Sequence, residues 1–376
     1  MVNERTTEAD AKKDEAFAFQ VQLEINVEGE FLPRPDLRSL ASDEWDQRVA
    51  DLQYRNVGEY AVGHNVATEA VLEDGICCKL ARTAWIPQAE VERVAPEPME
   101  GVELSMDALA SLEDGAEAWE RLGPLVKKYG EWIEAQKQNL PATPARRKET
   151  GDRLLARAGF ALKRIEGGIR MLADPQCLEA FRLANKCMAL QARRRQGVME
   201  GKSPDTIKPE WRPFQLAWIL INLCSIAEPT SDERNIVDLL FFPTGGGKTE
   251  AYLGLAAFTL VLRRLRNPGI SSAGVSVLMR YTLRLLTLDQ LSRASTLICA
   301  LELERQNNAE KLGEWPFEIG LWVGQAATPN KMGRQGDNDP NTARLRWRRF
   351  MDSSKNLLRT TDAVIKAHES LSRKII

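Results

Sequence analysis

Apolar and polar residues alternate along three stretches of the first hundred residues. From Phe17 to Val27 every second side chain is apolar, which is the period of a strand with one face buried. Ala61–Val71 and Ile76–Val91 also have a strand-like pattern, on either side of the turn Glu73-Asp74-Gly75, whose residue types favour a hairpin. We therefore predict a β-rich module over residues 1–100.

The pattern then changes to apolar residues spaced by three and four positions, which is the period of an amphipathic helix. This spacing continues through most of residues 101–205, over Leu104–Gln138, Pro144–Leu172 and Pro175–Gln196. These residues are predicted to form a helical module. The module ends in a polar stretch with glycine, serine and proline, Gly197–Pro209, which is typical of a linker.

From residue 206 onward, short apolar runs alternate with helix-like segments. The apolar runs are Ile236–Phe242, Gly274–Met279 and Phe317–Val323, and the helix-like segments are Pro213–Ile226, Lys248–Arg266 and Arg284–Glu304. Strands that are apolar along their whole length and separated by helices are typical of a parallel sheet with helices on both faces. The predicted fold class is α/β, with a parallel-sheet lobe over residues 206–376 preceded by the β-rich and helical modules.

Composition and charge restrict the class of protein. The net charge is −2, so affinity for DNA would have to come from local patches rather than from the overall field. No apolar run is long enough to span a bilayer, and Met1–Lys13 lacks the apolar core of a secretory signal. The six cysteines form no CxxC pair and there are two histidines, which disfavours a zinc site and fits a reducing compartment. We therefore predict a cytoplasmic protein with no membrane partner.

The segment Phe242–Thr249 reads Phe-Pro-Thr-Gly-Gly-Gly-Lys-Thr and lies between an apolar run and a helix-like segment. Glycines let successive backbone N–H groups point at a phosphate, and the start of a helix adds a favourable field. A lysine here reaches the β- and γ-phosphates of ATP, and the next hydroxyl binds Mg²⁺. The candidate phosphate ligands are Thr244, Gly245, Gly246, Gly247 and Lys248, and the candidate metal ligand is Thr249.

One position departs from the strict phosphate-loop pattern, which has glycine where this sequence has Phe242. The alternative interpretation is a glycine-rich turn between a strand and a helix that binds nothing. Three consecutive glycines followed by Lys248 and Thr249, in the predicted strand–loop–helix context, favour phosphate binding.

The order of these elements resembles the first RecA-like lobe of superfamily 2 helicases. In those helicases a glutamine upstream of the loop reads the adenine edge and an aromatic residue stacks nearby, which implies these roles for Gln215 and Phe214. The same resemblance implies that Arg280, Thr282 and Arg284, after the second apolar run, contact a nucleic-acid backbone. The simpler alternatives are an incidental glutamine on an amphipathic helix and ordinary charges at a helix edge.

A more specific resemblance is to the DrmA-type helicase subunits of DISARM bacterial phage-defence systems. It is carried by the strings Trp211–Gln215, Phe242–Gly254, Met279–Leu288 and Gly320–Gly324. The resemblance implies an ATP- and Mg²⁺-dependent DNA translocase that acts on phage DNA with other defence subunits. It also implies that this sequence corresponds to the N-terminal portion of such a protein.

One part of the helicase machinery is missing from the sequence. Hydrolysis in this superfamily needs a strand ending in Asp-Glu, and no Asp-Glu pair follows Glu250. Asp289 is followed by glutamine and lies in a helix-like segment, so it is a poor substitute. We therefore expect a truncated reading frame whose product binds ATP without turnover.

Two other classes of function remain open at this point. The chain could be a non-catalytic interaction protein in which the phosphate loop is structural or vestigial. It could also be a kinase-like enzyme that uses Asp289 as its acid, which is the weaker alternative.

Overall fold

The computed structural model describes residues 21–34, 44–75, 77–88, 99–242, 246–281, 284–321, 331–336, 338–349 and 352. These residues are mostly helical. The strands are β1 (Glu24–Phe31), β2 (Ala67–Glu73) and β3 (Cys77–Ala84). The helices are α1 (Trp45–Gln53), α2 (Met106–Ala110), α3 (Gly115–Gln138), α4 (Ala145–Met171), α5 (Pro175–Glu200), α6 (Pro213–Ala227), α7 (Lys248–Arg266), α8 (Arg284–Asn307) and α9 (Ala309–Leu312). Short 3₁₀ helices lie at Pro204–Thr206, Asp232–Asn235 and Ile270–Ser272.

Within the described residues, β1, β2 and β3 form an antiparallel sheet with β3 in the centre. Ala81 on β3 lies opposite Ile25 on β1 and Ala70 on β2. The predicted turn is confirmed, because Asp74 and Gly75 have φ of 51° and 74°, the left-handed values that a tight hairpin uses. The first strand extends beyond the alternating residues to Phe31, two residues before Pro33, because pairing with β3 and not apolar alternation alone decides where a strand ends. Residues 17–20 of the predicted strand lie outside the described residues.

The chain divides into two compact units. The first unit comprises Met1–Arg182 and Glu210–Ala251, and the second comprises Leu183–Pro209 and Tyr252–Ile376. Helices α5 and α7 each begin in the first unit and end in the second. The boundaries predicted from sequence, at residues 100 and 205, remain a prediction.

Helix α4 is the centre of the first unit, and it contacts α1, α3 and α6. The buried side chains Ile165 and Ile169 repeat at the spacing that the sequence indicated. Gly168 lets the backbone of α4 lie close to that of α6, because a Cβ atom at this position would lie 1.9 Å from the Leu220 carbonyl oxygen of α6. The helices predicted over residues 144–172 and 213–226 are confirmed here. Over residues 104–138 the helical prediction is confirmed in part: the chain forms two helices, α2 and α3, and α3 continues through Pro124, where the sequence predicted a break.

In the second unit, side chains rather than strand ladders fix the segments between helices. The buried guanidinium of Arg264 donates to Ser272 Oγ at 3.3 Å and to the Pro316 carbonyl at 3.1 Å. Glu302 on α8 accepts from the Phe317 N–H at 3.0 Å and pairs with Arg305 at 2.7 Å. The Arg305 hydrogen bonds, helped by the Phe317 N–H, lower the pKa of Glu302 to about 2. Residues 316–317 are therefore anchored on α7 and α8.

The structure differs from the predicted parallel sheet. Ile236–Phe242, Gly274–Met279 and the described part of the third apolar run, residues 317–321, form no strand. Val237, Phe241 and Val275 are 94%, 91% and 85% exposed. A strand is stable only when neighbours satisfy its backbone groups and cover its side chains, and none of these segments has a strand partner among the described residues. No helix in the part of the chain that the structure describes is long and apolar enough to cross a bilayer.

Two glycines of α4 should respond oppositely to alanine. Gly168→Ala should lower the free energy of unfolding by about 1–3 kcal/mol, because the new methyl group collides with α6. Gly159→Ala should raise it by about 0.5–1 kcal/mol, since a Cβ at Gly159 meets nothing within 4 Å. Urea unfolding followed by circular dichroism measures both. A higher free energy of unfolding in both variants would contradict the close packing of α4 on α6 at Gly168.

Candidate nucleotide-binding site

Helix α6 begins with a side chain that turns back onto its own start. Pro213 occupies the first helical position, where its missing N–H costs nothing and its fixed φ favours the helix. Gln215 Oε1 accepts a hydrogen bond from the Arg212 backbone N–H at 2.8 Å. Gln215 is only 4% exposed, so its amide is held in one orientation at the start of α6.

The same two residues bind the phosphate loop. Gln215 Nε2 donates to the Gly247 carbonyl at 2.7 Å, and Arg212 Nη1 donates to the Gly246 carbonyl at 2.6 Å. The Gln215 amide therefore uses its oxygen on the helix and its nitrogen on the loop, which is the pairing that its donor and acceptor atoms require. These contacts fix the end of the loop against the start of α6.

Lys248 closes the loop from the other side. It is the first residue of α7, and its Nζ donates to the carbonyl of Phe242, the residue that precedes the loop. The ammonium group thus lies across the loop between its two ends. A side chain in this position is placed to exchange a carbonyl oxygen for a phosphate oxygen, which is a stronger acceptor.

The ring of Phe242 explains the departure from the strict loop pattern. It stacks on the ring of Phe214, with centroids 4.0 Å apart and an interplanar angle of 12°. Stacked aromatic pairs contribute roughly 0.5–1.5 kcal/mol beyond their buried area. Phe242 therefore connects the segment before the loop to α6, a function that glycine at this position could not perform.

Gly247 has a conformation and a position that exclude other residues. Its φ is +87°, and a Cβ atom would lie 2.6 Å from Gln215 Nε2 and 3.4 Å from Glu250 Oε2. A positive φ is strained for any residue with a Cβ. Glycine at this position therefore lets the end of the loop lie directly against the Gln215 side chain.

The residues at this site fit the Mg²⁺–ATP that the sequence implies. Gly246, Gly247 and Lys248 precede or begin a helix of 19 residues, whose free N–H groups and dipole favour an anion. Thr249 follows in the first turn of α7, and a single hydroxyl suffices because Mg²⁺ is held largely by water and substrate phosphates. Thr244 and Gly245 lie outside the described residues.

The structure brings together part of the predicted set. Phe214, Gln215, Gly246, Gly247 and Lys248 meet in the first unit. Of the predicted nucleic-acid contacts, Arg280 is exposed and belongs to the second unit. Thr282 lies outside the described residues, as does the side chain of Arg284.

Sequence reasoning assigned no function to Arg212, although it precedes Pro213 in one of the diagnostic strings. It also overlooked Asp238, which binds Arg164 of α4 at 2.6 and 2.8 Å. The signal for Asp238 was a single carboxylate inside the apolar run Ile236–Phe242, since a lone charge in such a run needs a partner.

Comparison with known proteins supports the motif resemblance. No family model matches the sequence. The chain is 33% identical, over 95% of its length, to DISARM protein DrmA of Bacillus paralicheniformis, and the match covers 32% of DrmA. The resemblance drawn from the motifs is therefore confirmed, and the chain is a partial homologue of DrmA. It spans about a third of the length of this curated relative.

Gly247→Ala should release the phosphate loop from α6. The added methyl group would overlap Gln215 Nε2, so we expect faster amide hydrogen exchange in residues 246–251, measured by mass spectrometry. Gly101→Ala is the control, because Gly101 has a φ of +80° with nothing within 4 Å of its Cβ position. Equal exchange at residues 246–251 in both variants would contradict the close contact between the loop and Gln215.

Proposed function

We propose that this chain is the ATP-binding part of an ATP-dependent DNA helicase or translocase that acts in a bacterial DISARM phage-defence system. The supporting observation is the contact between Gln215 and the Gly247 carbonyl, which unites the element proposed to read adenine with the loop proposed to bind phosphate. The partial homology to DISARM protein DrmA supports the assignment to phage defence.

In this proposal the residues of the site divide the binding of Mg²⁺–ATP among them. The backbone N–H groups of residues 244–247 and the ammonium of Lys248 bind the phosphates of ATP, and Thr249 is the protein ligand of Mg²⁺. Gln215 reads the adenine edge, with the Phe214 ring beside it. The bound Mg²⁺–ATP would supply the phosphoryl group whose transfer drives a motor of this kind.

The RecA-like lobe is also part of the proposal. In such a lobe the run that enters the phosphate loop, Ile236–Phe242, would be a strand. The exposure of Val237 and Phe241, 94% and 91%, supports this, because a neighbouring element would cover these apolar side chains.

Hydrolysis requires groups that this sequence lacks, since no Asp-Glu pair follows Glu250. We therefore propose that these residues bind ATP and do not turn it over by themselves. The DNA backbone would be contacted by Arg280, Thr282 and Arg284, and the other partners would be further subunits of the defence system.

A non-catalytic interaction protein is the second candidate. It is favoured by the same exposed side chains, because apolar surface of this kind also marks contact sites for other proteins. In that case the bonds from Arg212 and Gln215 to the loop would be purely structural, and ATP would have no effect.

Lys248→Ala should abolish most of the affinity for Mg²⁺–ATP. Charge-assisted hydrogen bonds contribute roughly 1.5–3 kcal/mol each, so we expect the dissociation constant to rise at least about tenfold. Isothermal calorimetry measures this, with ATP turnover followed in parallel and expected to be undetectable.

Lys127→Ala is the matched control, because Lys127 is an exposed lysine of α3 in the same unit. Affinity equal to that of the wild type is expected for this variant. If the wild-type chain does not bind ATP, the interaction-protein function replaces the one proposed here. Steady turnover of ATP would contradict the proposal that these residues bind ATP without hydrolysing it.

Arg280→Glu should weaken binding to single-stranded DNA. One lost phosphate contact should reduce the slope of log affinity against log salt by about 0.7, and fluorescence anisotropy of a labelled oligonucleotide measures it. Arg334→Glu is the control, since Arg334 is an exposed arginine of the same unit and the charge change is identical. Equal losses in both variants would indicate a general charge effect and contradict a specific contact at Arg280.

A further inference from the structure

Arg164 on α4 is a buried arginine bound by two carboxylates. Its Nη1 and Nη2 donate to the two oxygens of Asp238 at 2.6 and 2.8 Å, and its Nε donates to Glu233 at 3.0 Å. The side chain is 4% exposed. The Asp238 hydrogen bonds raise the pKa of Arg164 despite burial. A planar guanidinium that binds a carboxylate with both its terminal nitrogens fixes direction as well as distance.

The acids that Arg164 holds belong to the chain that enters the phosphate loop. Glu233 lies in the 3₁₀ helix Asp232–Asn235, and Asp238 lies inside the apolar run Ile236–Phe242. The neighbours of Asp238 in that run, Val237 and Leu239, are 94% and 84% exposed, so apolar packing by these side chains does not hold the run in place. At this end of the run, Asp238 and its bonds to Arg164 are the anchor.

The anchor at Asp238 restricts the start of the loop. Phe242 follows four residues later, and four residues extend over at most about 14 Å. The Phe242 carbonyl is the acceptor of Lys248, and the Phe242 ring stacks on Phe214. Fixing Asp238 therefore limits where the backbone of Phe242, which carries atoms that close the loop, can lie.

We propose that Arg164 is a positioning residue for the phosphate loop. It acts by fixing Asp238 and Glu233, which set where the chain enters the loop. Helix α4, which carries no loop residue, would then determine nucleotide affinity. This inference rests on the proposed nucleotide-binding function.

The first unit contains a matched ion pair for comparison. Arg147, also on α4, donates to the two oxygens of Asp51 at 3.0 and 2.7 Å. Its side chain is 14% exposed, and that of Asp51 is 4% exposed. This pair links α4 to α1, where no phosphate-loop element lies. Both are bidentate arginine–aspartate pairs on one helix, so an effect that came only from weakened folding would follow the loss of stability in both variants.

The test compares Arg164→Lys with Arg147→Lys. Lysine keeps the charge and removes the bidentate contact, so both substitutions should lower the urea concentration at the midpoint of unfolding. Only Arg164→Lys should raise the dissociation constant for Mg²⁺–ATP, by at least about tenfold, which corresponds to about 1.4 kcal/mol. Hydrogen exchange of residues 246–251 in the nucleotide-free protein should also be faster in Arg164→Lys alone.

The two readouts separate this inference from the proposed function. If the wild-type chain binds ATP and both variants bind it with the same affinity as each other, the positioning role is overturned and the proposed function stands. If the wild-type chain does not bind ATP, the exchange readout still decides, and equal exchange of residues 246–251 in both variants would contradict the role.

Asp238→Asn replaces Arg164→Lys if that variant does not fold, because asparagine preserves shape and one hydrogen bond while removing the charge. Its counterpart Asp51→Asn is then the control. The expected results are unchanged: weaker binding of ATP and faster exchange at residues 246–251 for Asp238→Asn alone. Indistinguishable behaviour of the two asparagine variants would overturn the inference.

Discussion

The hydrogen bond from Gln215 to the Gly247 carbonyl is the interaction on which the rest of the site depends. Backbone carbonyl groups outside helices and strands need donors, and for Phe242, Gly246 and Gly247 the donors are the side chains of Lys248, Arg212 and Gln215. Because Gln215 also accepts from the N–H of Arg212, the residue that precedes its own helix, the start of α6 and the end of the loop are fixed by one side chain. The geometry of the loop is therefore determined by the sequence of a helix that precedes it by about thirty residues.

The helices could be predicted from the sequence, and the arrangement of the apolar runs could not. Apolar spacing is a local property, so the helices around Ile165 and Leu220 follow from the chain itself. A strand depends on partners that are distant in sequence, and Val237 and Val275 show how little an apolar run determines without them. Gly247 and Lys248 were predictable from the motif, whereas the contacts of Phe242 with Phe214 and of Asp238 with Arg164 required the structure. The hairpin at Asp74 and Gly75 was predictable because its residue types match the required φ values.

Buried ion pairs of this kind contribute to geometry more than to stability. Removing two charges from water costs about as much free energy as their attraction returns, so Arg164 with Asp238 adds little net stability compared with apolar residues of similar volume. What the pair provides is direction, because a guanidinium and a carboxylate fit in one plane and at one distance. This directional constraint acts on a segment in which Val237, Leu239 and Phe241 are exposed, so packing of these side chains imposes almost none.

The stacked rings of Phe214 and Phe242 also limit how the protein can evolve. A substitution that removes either ring leaves the other half-buried beside a gap, so a change at one position alters which residues are acceptable at the other. Glycine at position 242, the usual residue of the motif, would be tolerated best together with a different side chain at position 214. We therefore expect these two positions to co-vary among related proteins, although they belong to different elements and only one of them lies next to the loop.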